Sequence, residues 1–562
     1  MKLRSTLFSA ALLTALPAVS ALSKITRSGR FLYDDNGERF FIKGIAYQQQ
    51  GQVTVTGAAN PLGEPTTFVD NLADGAGCSR DLPNLQKLGA NAIRAYSVDS
   101  TLDHDSCMNA LSGAGIYVIL DLTLPLNGSI DTTQPTWSTS LLNEYINTID
   151  VFSKYDNVLA YNVGNEVLTA SATSAAPFIK AAARDIKAYL TKIGSSALVG
   201  YADIDGPSAF RDAVAEYLAC DPSNKNDGST SIDLFGLNNY EWCGDAPTST
   251  YNSINTEFEN YNIVAYFSEY GSETCNPGVR PWTEVATLFA EPMAGVWSGG
   301  LAFSYFNATA NNEQFGMVTL SSDNSTATTN QDFANLVAQY ASLTALPNNP
   351  TQAAAPSATY TACPSEGTAF EASTTLPPTP NTDACECLSS ALACQFVAKG
   401  DFTDVIGTLT GQVCSFLAQN GGSCADISAN GTSGVYGTVS SCDPVTRLSY
   451  EFTQYYEATG RLSTSCDFAG NATLSTSSSV ASSVSDAVSS CLTSPSAVFT
   501  PSASSGAPAA SSPSGGSSSG SSSGGGSSGS GSGKGSGAVA VRVGVLTSVL
   551  VGVVGGVALV LA

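Results

Sequence analysis

Between residues 30 and 305 the sequence repeats one unit: a short apolar run that stops at a polar residue, then a stretch with helical spacing. A hairpin signal precedes it, Phe31–Tyr33 and Arg39–Ile42 flanking Asp34-Asp35-Asn36-Gly37-Glu38, where Asn-Gly favours a tight turn. The runs then follow in order: Lys43–Gln48, Ala90–Tyr96, Ile116–Asp121, Val158–Glu166, Ala197–Tyr201, Ile232–Tyr240, Ile263–Glu269 and Met293–Tyr305. Between them Asp81–Leu88, Leu141–Tyr155 and Pro177–Ile193 read as helices, the last with Ile179, Ala183, Ile186 and Leu190 on one face. Eight such strands in about 300 residues predict an α/β fold, a (β/α)8 TIM barrel over residues 22–345. An open doubly wound sheet is the alternative. No Gly-x-Gly-x-x-Gly follows the first strand, so a dinucleotide site is unsupported.

A barrel of this kind works at the carboxyl ends of its strands. Gln48, Tyr96, Asp121, Asn165, Glu166, Tyr240, Glu269 and Tyr305 all fall there. Two of them are glutamates, on the fourth and seventh strands. Two carboxylates facing one bond suit cleavage of a sugar–sugar linkage, and a retaining mechanism wants them about 5–5.5 Å apart. A glutamate after an asparagine suits the acid, because the amide can bond the sugar 2-hydroxyl. The flanking residues have plainer readings beside this one. Tyr240 and Tyr305 could pack the rim, and Asp121 could pair with Arg94.

Composition removes the competitors. The one histidine, His104, sits between Asp103 and Asp105 and reads as a solvated surface residue, so a histidine-based triad or a multi-histidine zinc site is unsupported. Acid–base work falls to carboxylates, tyrosines or lysines. With 23 Lys and Arg against 47 Asp and Glu, a net charge of -24, no basic surface is left for nucleic acid.

Beyond the barrel, residues 346–380 read as a linker, rich at first in Pro, Ala, Thr and Asn. Cys385, Cys387, Cys394, Cys414, Cys424, Cys442, Cys466 and Cys491 crowd residues 381–493, which implies a small disulfide-stapled domain. Tyr450, Phe452, Tyr455 and Tyr456 are expected in its core, since a small domain needs its aromatics inside. Residues 494–537 form a Ser/Gly stalk that cannot pack a core. The barrel region holds five cysteines, Cys78, Cys107, Cys220, Cys243 and Cys275, so one is left over, and Cys363 is the spare beyond it. A bond between the two would clamp the small domain to the barrel. Parity does not say which cysteine it uses.

Both ends carry addresses. Lys2 and Arg4 precede the apolar run Leu7–Leu16 and the small-residue site Val19-Ser20-Ala21, so residues 1–21 read as a secretory signal. Residues 538–562 end in an almost wholly apolar tail after a polar spacer, the form of a GPI-attachment signal, with attachment between Ser527 and Ser536. Asn-x-Ser/Thr sequons stand at Asn127, Asn307, Asn324, Asn430 and Asn471.

Tyr161-Asn162-Val163-Gly164-Asn165-Glu166-Val167, Phe267-Ser268-Glu269-Tyr270-Gly271 and Val296-Trp297-Ser298-Gly299-Gly300 closely resemble the fungal β-1,3-glucanosyltransferases of glycoside hydrolase family 72. The resemblance covers roughly residues 22–345. Cys385-x-Cys387, Cys394 and Leu448–Tyr456 resemble a family 43 carbohydrate-binding module. This resemblance implies Glu166 as general acid/base, Glu269 as nucleophile and Asn165 as holder of the donor sugar. It implies that Gln48, Tyr96, Asp121, Tyr240 and Tyr305 line the cleft. It also implies the disulfides Cys78–Cys107, Cys243–Cys275, Cys220–Cys363, Cys385–Cys442, Cys387–Cys491, Cys394–Cys466 and Cys414–Cys424. The small module is expected to be mainly helical. One departure is Gly271-Ser272-Glu273-Thr274-Cys275, where the family usually places the cysteine closer to the nucleophile. The implied activity cuts a β-1,3-glucan donor internally and passes the fragment to an acceptor glucan end. No metal or cofactor is called for. The place implied is the outer face of the plasma membrane or the wall, held by a GPI lipid.

Overall fold

A computed structural model describes residues 22–52, 65–125, 128–273, 279–310, 313–364, 367, 370–397 and 403–502. The expected leader, Asn127, Cys275, the stalk past 502 and the anchor tail lie outside these residues.

Eight parallel strands close into a barrel in chain order, the last bonded back to the first. They are β1 Ile42–Ala46, β2 Ala92–Ala95, β3 Tyr117–Asp121, β4 Val158–Asn165, β5 Leu198–Ile204, β6 Leu234–Asn239, β7 Val264–Tyr270 and β8 Trp297–Ala302. The helices are α1 Gly75–Leu88, α2 Asp105–Gly113, α3 Thr139–Phe152, α4 Ala176–Ile193, α5 Ser208–Ala219, α6 Asn252–Phe258, α7 Glu284–Leu288 and α8 Gln331–Ser342. Strands buried on both faces are apolar on both faces, which is why the runs in the sequence do not alternate. Ile42, Ala92, Ile119, Ala160, Leu234, Val264 and Leu301 fill the lower interior. Ile93, Val118, Leu120, Tyr161, Val163, Tyr201, Phe235 and Phe267 belong to the outer core that includes the helices. Three short antiparallel strands, Thr26–Ser28, Phe31–Tyr33 and Arg39–Phe40, put Leu32 against the inner cluster. The Asp34–Glu38 turn closes with Asp34 N donating to Glu38 O at 3.0 Å, and Gly37 takes φ 76° there.

Two devices make the upper barrel polar. The first is space. A Cβ on Gly200 would stand 2.4 Å from the Asn162 amide oxygen, and one on Gly236 would stand 2.6 Å from Ser268 Oγ. The second is a break in strand parity. The β4–β5 register shifts between Asn162 and Asn165, and the β6–β7 register shifts between Tyr266 and Glu269. Such irregularities re-aim side chains near active sites. Without them, Asn162 and Asn165 would lie on opposite faces, as would Ser268 and Glu269.

The second domain is mainly helical: α9 Thr382–Ala391, α10 Thr403–Gln419, α11 Pro444–Ala458 and α12 Val484–Cys491. Tyr450 and Phe452 are buried in two separate clusters, and Tyr455 and Tyr456 are half-buried against the one that holds Phe452. Among the described residues the disulfides are Cys78–Cys107, Cys220–Cys363, Cys385–Cys442, Cys387–Cys491, Cys394–Cys466 and Cys414–Cys424. Cys243 is also disulfide-bonded, but its expected partner Cys275 lies outside them. Cys220–Cys363 is the clamp that parity required.

Two sequence expectations need correcting. The stretch 346–380 is no free tether, since its backbone carbonyls are used as acceptors by barrel side chains. Tyr33 OH donates to Pro350 O, Arg39 Nη1 to Asn349 O, and Arg184 Nη1 to Pro377 O. Thr379 is buried, and its Oγ1 donates to Asp185 at 2.7 Å. The second correction is His104. It is buried beside the Phe152 ring, with Nε2 2.8 Å from Asp70 Oδ2, because a flanking pair of aspartates says nothing about which way the ring turns.

Glu451, on α11, generates a pH prediction. It is fully buried, and neither carboxyl oxygen has a hydrogen-bond partner among the described residues. Burial, helped by Asp426, pushes it up to about 8. The folded state therefore keeps a proton that the unfolded chain gives up at ordinary glutamate pH. Stability falls as pH rises through that window, toward 8. Glu451→Gln is expected to raise the unfolding temperature at pH 8, and to do so less at pH 5, in paired thermal scans.

Candidate active site

Glu269 ends the polar stretch of β7, 7% exposed. Tyr96 OH donates to its Oε1 at 2.8 Å and Tyr240 OH to its Oε2 at 2.7 Å. Arg94 Nη1 reaches Oε1 at 3.2 Å. Burial raises the Glu269 carboxyl above the ordinary value, while Arg94 and the two hydroxyls pull it back. Burial, then the nearby carboxylate, pushes both tyrosines well up, so they keep their protons and stay donors.

Arg94, on β2, has no exposed surface. Nε and Nη2 grip both oxygens of Asp121 at 3.1 and 2.6 Å, and Nη2 also donates to Asn165 Oδ1 at 2.8 Å. Burial opposes its charge, but Asp121 and the other acceptors outweigh it and keep the guanidinium protonated. Its plane lies over the Tyr96 ring, 4.2 Å from the centroid. Asp121 takes a further bond from Asn162 Nδ2 at 2.6 Å.

Glu166 follows β4 directly, with φ 51°, a conformation that non-glycine residues hold only where the surroundings impose it. Its N donates to Ala202 O on β5 at 2.9 Å. Its Oε1 accepts from Asn238 Nδ2 at 2.7 Å, and the same nitrogen is 3.2 Å from Asn165 Oδ1. The two glutamates are thus joined through Asn238, Asn165 and Arg94 by an unbroken path of hydrogen bonds.

The structure gathers Tyr96, Asp121, Asn165, Glu166, Tyr240 and Glu269 into this network. Asp121 enters it as the partner of Arg94 and is buried. Gln48 braces the end of β2, its Oε1 accepting from the N–H groups of Tyr96 and Ser97 at 3.1 and 3.2 Å. Tyr305 is placed elsewhere. It is fully buried, and its OH donates to Asp81 Oδ1 at 2.9 Å on α1. The backbone past β8 turns Phe303 toward the mouth instead, its ring edge-on to Tyr96 and Tyr240. Sequence reasoning gave no role to Asn238 or Ser268 and saw Arg94 only as a possible partner. Their signal was available as polar residues inside apolar runs, Arg94 in Ala-Ile-Arg-Ala above all.

A closed parallel barrel with two glutamates at the carboxyl ends of its fourth and seventh strands, joined by one hydrogen-bond network, is the arrangement of a carbohydrate-active enzyme. Comparison with known proteins gives the family. Residues 15–344 match the family model described as Glucanosyltransferase, in glycoside hydrolase family 72, and residues 392–473 match the X8 domain. The chain belongs to that glucanosyltransferase family. It is 39% identical over 473 residues to the 1,3-beta-glucanosyltransferase gas1 of Schizosaccharomyces pombe, covering 82% of this chain and 80% of that one. It is 38% identical over 438 residues to the 1,3-beta-glucanosyltransferase GAS2 of Saccharomyces cerevisiae, covering 76% and 75%. The Saccharomyces cerevisiae Gas2p structure in complex with laminaritetraose and laminaripentaose matches with a TM-score of 0.71 at 34% identity, covering 84% of this chain and 99% of that one.

Arg94→Met would leave Asp121 and Glu269 buried without their cation. A loss of about 3–5 kcal/mol in unfolding free energy is expected, read by denaturant titration. A loss below 1 kcal/mol would show that the cluster does not depend on the guanidinium.

Proposed function

We propose that the protein is a 1,3-β-glucanosyltransferase, with Glu269 as nucleophile and Glu166 as general acid/base. The observation that carries this is the contrast between the two carboxylates. Glu269 is gripped on both oxygens by tyrosine hydroxyls and backed by Arg94, which suits a fixed nucleophile. Glu166 accepts an amide hydrogen bond from Asn238 and stands at the strand end, which suits a proton carrier. Glu269 attacks the anomeric carbon of a β-1,3-glucan while Glu166 gives a proton to the departing glucan oxygen. The fragment is then held as a glycosyl ester on Glu269. The end hydroxyl of an acceptor glucan loses its proton to Glu166, attacks the ester and takes the fragment, which lengthens the acceptor. Asn165, with its carbonyl turned to Arg94, presents its amide N–H to the donor sugar. The signal-like N-terminus and the apolar C-terminal tail support a GPI-anchored enzyme at the outer face of the plasma membrane or in the wall. The X8-matching domain supports a second glucan contact.

Laminari-oligosaccharides test the reaction directly. Products longer than the donor mark transfer, shorter ones alone mark an endo-β-1,3-glucanase, and no products mark a binding protein. Glu166→Gln and Glu269→Gln are each expected to abolish turnover with unchanged unfolding temperature. Activity retained in either would refute that residue's role.

The pH profile carries a sign. Glu269 must be ionised to attack, and the Tyr240 hydroxyl favours the ionised form. Tyr240→Phe is expected to move the acidic limb of kcat/KM up by about one pH unit. A limb that stays put would remove Glu269 as its source.

A further inference from the structure

Residues 166–175 join β4 to α4 at the mouth, and they are gripped from two sides. The barrel holds the first part. Glu166 N donates to Ala202 O at 2.9 Å, and Leu168 N donates to Tyr201 OH at 2.9 Å. Asn238 Nδ2 donates to Glu166 Oε1, and Ser268 Oγ steadies Asn238 by donating to its Oδ1 at 2.7 Å. Glu166 keeps φ 51° in this setting, a backbone conformation that only imposed surroundings maintain.

The small domain holds the second part. Its hairpin, Ala429–Asn430 paired with Val435–Tyr436, lays Gly431 on Ser174. A Cβ there would stand 1.9 Å from the Ser174 carbonyl oxygen and 3.0 Å from the Phe178 ring. The backbone of Gly431 lies outside the left-handed region, so its missing side chain serves the approach to Ser174 and not a turn. Glu371 N donates to Thr173 Oγ1 at 2.9 Å, and Thr173 is buried. The hairpin is itself backed. Ser373 N donates to Gly431 O at 2.8 Å, and Tyr436 OH donates to Thr375 O at 2.8 Å with its ring edge-on to Phe178. Gly434 sits so close to this segment that a Cβ would meet Ser373 Oγ at 2.4 Å. A push at Gly431 is therefore passed to Ser174.

We propose that the small domain is a working part of the barrel's catalytic site, with Gly431 on Ser174 and Glu371 on Thr173 as positioning contacts for the loop that carries Glu166. The inference rests on Glu166 being the acid/base. Glu166 gives a proton to the departing glucan oxygen and takes one from the acceptor hydroxyl, and both transfers need it within hydrogen-bond reach. A misplacement of about 1 Å at such a group costs on the order of 10²-fold in rate. Glu269 is held otherwise, by Tyr96, Tyr240 and Arg94, all of them on the barrel. Loosening the loop should thus weaken proton transfer and leave nucleophilic attack intact.

The test reads two donors with the full chain. A laminari-oligosaccharide needs a proton on its departing oxygen, whereas fluoride leaves β-laminaribiosyl fluoride with little acid help. Gly431→Ala is expected to lower kcat on the oligosaccharide by about 10–100-fold while KM stays within about twofold. Its first-turnover release of fluoride should fall by less than about threefold. Thr173→Val keeps the shape but removes the acceptor of Glu371 N, and should show the same split at about 3–10-fold. Thr173→Ser keeps the acceptor and should return to within about twofold of wild type. Val435→Ser, on the exposed strand of the same hairpin, should match wild type on both donors. Full oligosaccharide activity in Gly431→Ala and Thr173→Val would overturn the proposal, and so would equal losses on the two donors. Should Gly431→Ala fail to fold, the Thr173 pair decides, and a Thr173→Ser loss as large as that of Thr173→Val counts against the contact. Glu166→Ala in parallel separates the two readings. Oligosaccharide turnover lost with fluoride release retained keeps Glu166 as acid/base whatever the loop variants do, and loss of both removes it.

Discussion

A fully buried guanidinium holds the mouth of this barrel together. Arg94 cannot reach water, so its charge survives only because Asp121, Glu269 and Asn165 supply acceptors in the plane of its fork and Tyr96 supplies a ring face. The arrangement also constrains its neighbours. A group with donors alone decides which way each amide beside it must turn. The ordering of Asn165, Asn238 and Ser268 is a consequence of that one cation. Glu269 and Glu166, on strands far apart in the chain, are tied to the same source.

The barrel accepts this polar cluster by being two things at once. Its lower interior is a packed apolar plug, and its upper interior is polar where Gly200 and Gly236 leave room for Asn162 and Ser268. The shifts in strand register just before each glutamate finish the work. They let residues that simple alternation would separate share one face. A regular barrel of the same sequence length would bury Glu269 or Ser268 among the helices, where nothing could satisfy it.

The second domain is held to the first by more than its disulfide. Trp137 Nε1, Arg184 and Thr379 all bond Asp185, tying the loop after β3, α4 and the connecting segment into one buried group. Thr139 N donates to Ser441 O, and Glu371 N donates to Thr173 Oγ1 just past the Glu166 loop. Gly431 lies so close to Ser174 O that a Cβ would come within 1.9 Å. The contact admits no side chain there. The loop that follows Glu166 therefore rests on the small domain as well as on the barrel.

Some of this was written in the sequence. Eight apolar runs ending in polar residues state parallel strands covered on both faces, which a barrel and an open doubly wound sheet share; closure was decided by the tertiary structure. Glutamates at two run ends state where its chemistry sits, and an odd cysteine count states that a clamp exists. What the sequence could not state is direction. Tyr305 and Phe303 lie two residues apart, and Phe303 rather than Tyr305 turns toward the mouth. His104 hides although aspartates flank it, and the Pro-rich connection lies packed although its composition suggests a tether. Orientation, burial and hydrogen-bond partners come from strands and loops far away in the chain. Composition and spacing determined which residues could meet; only closing the barrel, with its register shifts and the buried Arg94 at its mouth, decided which of them do.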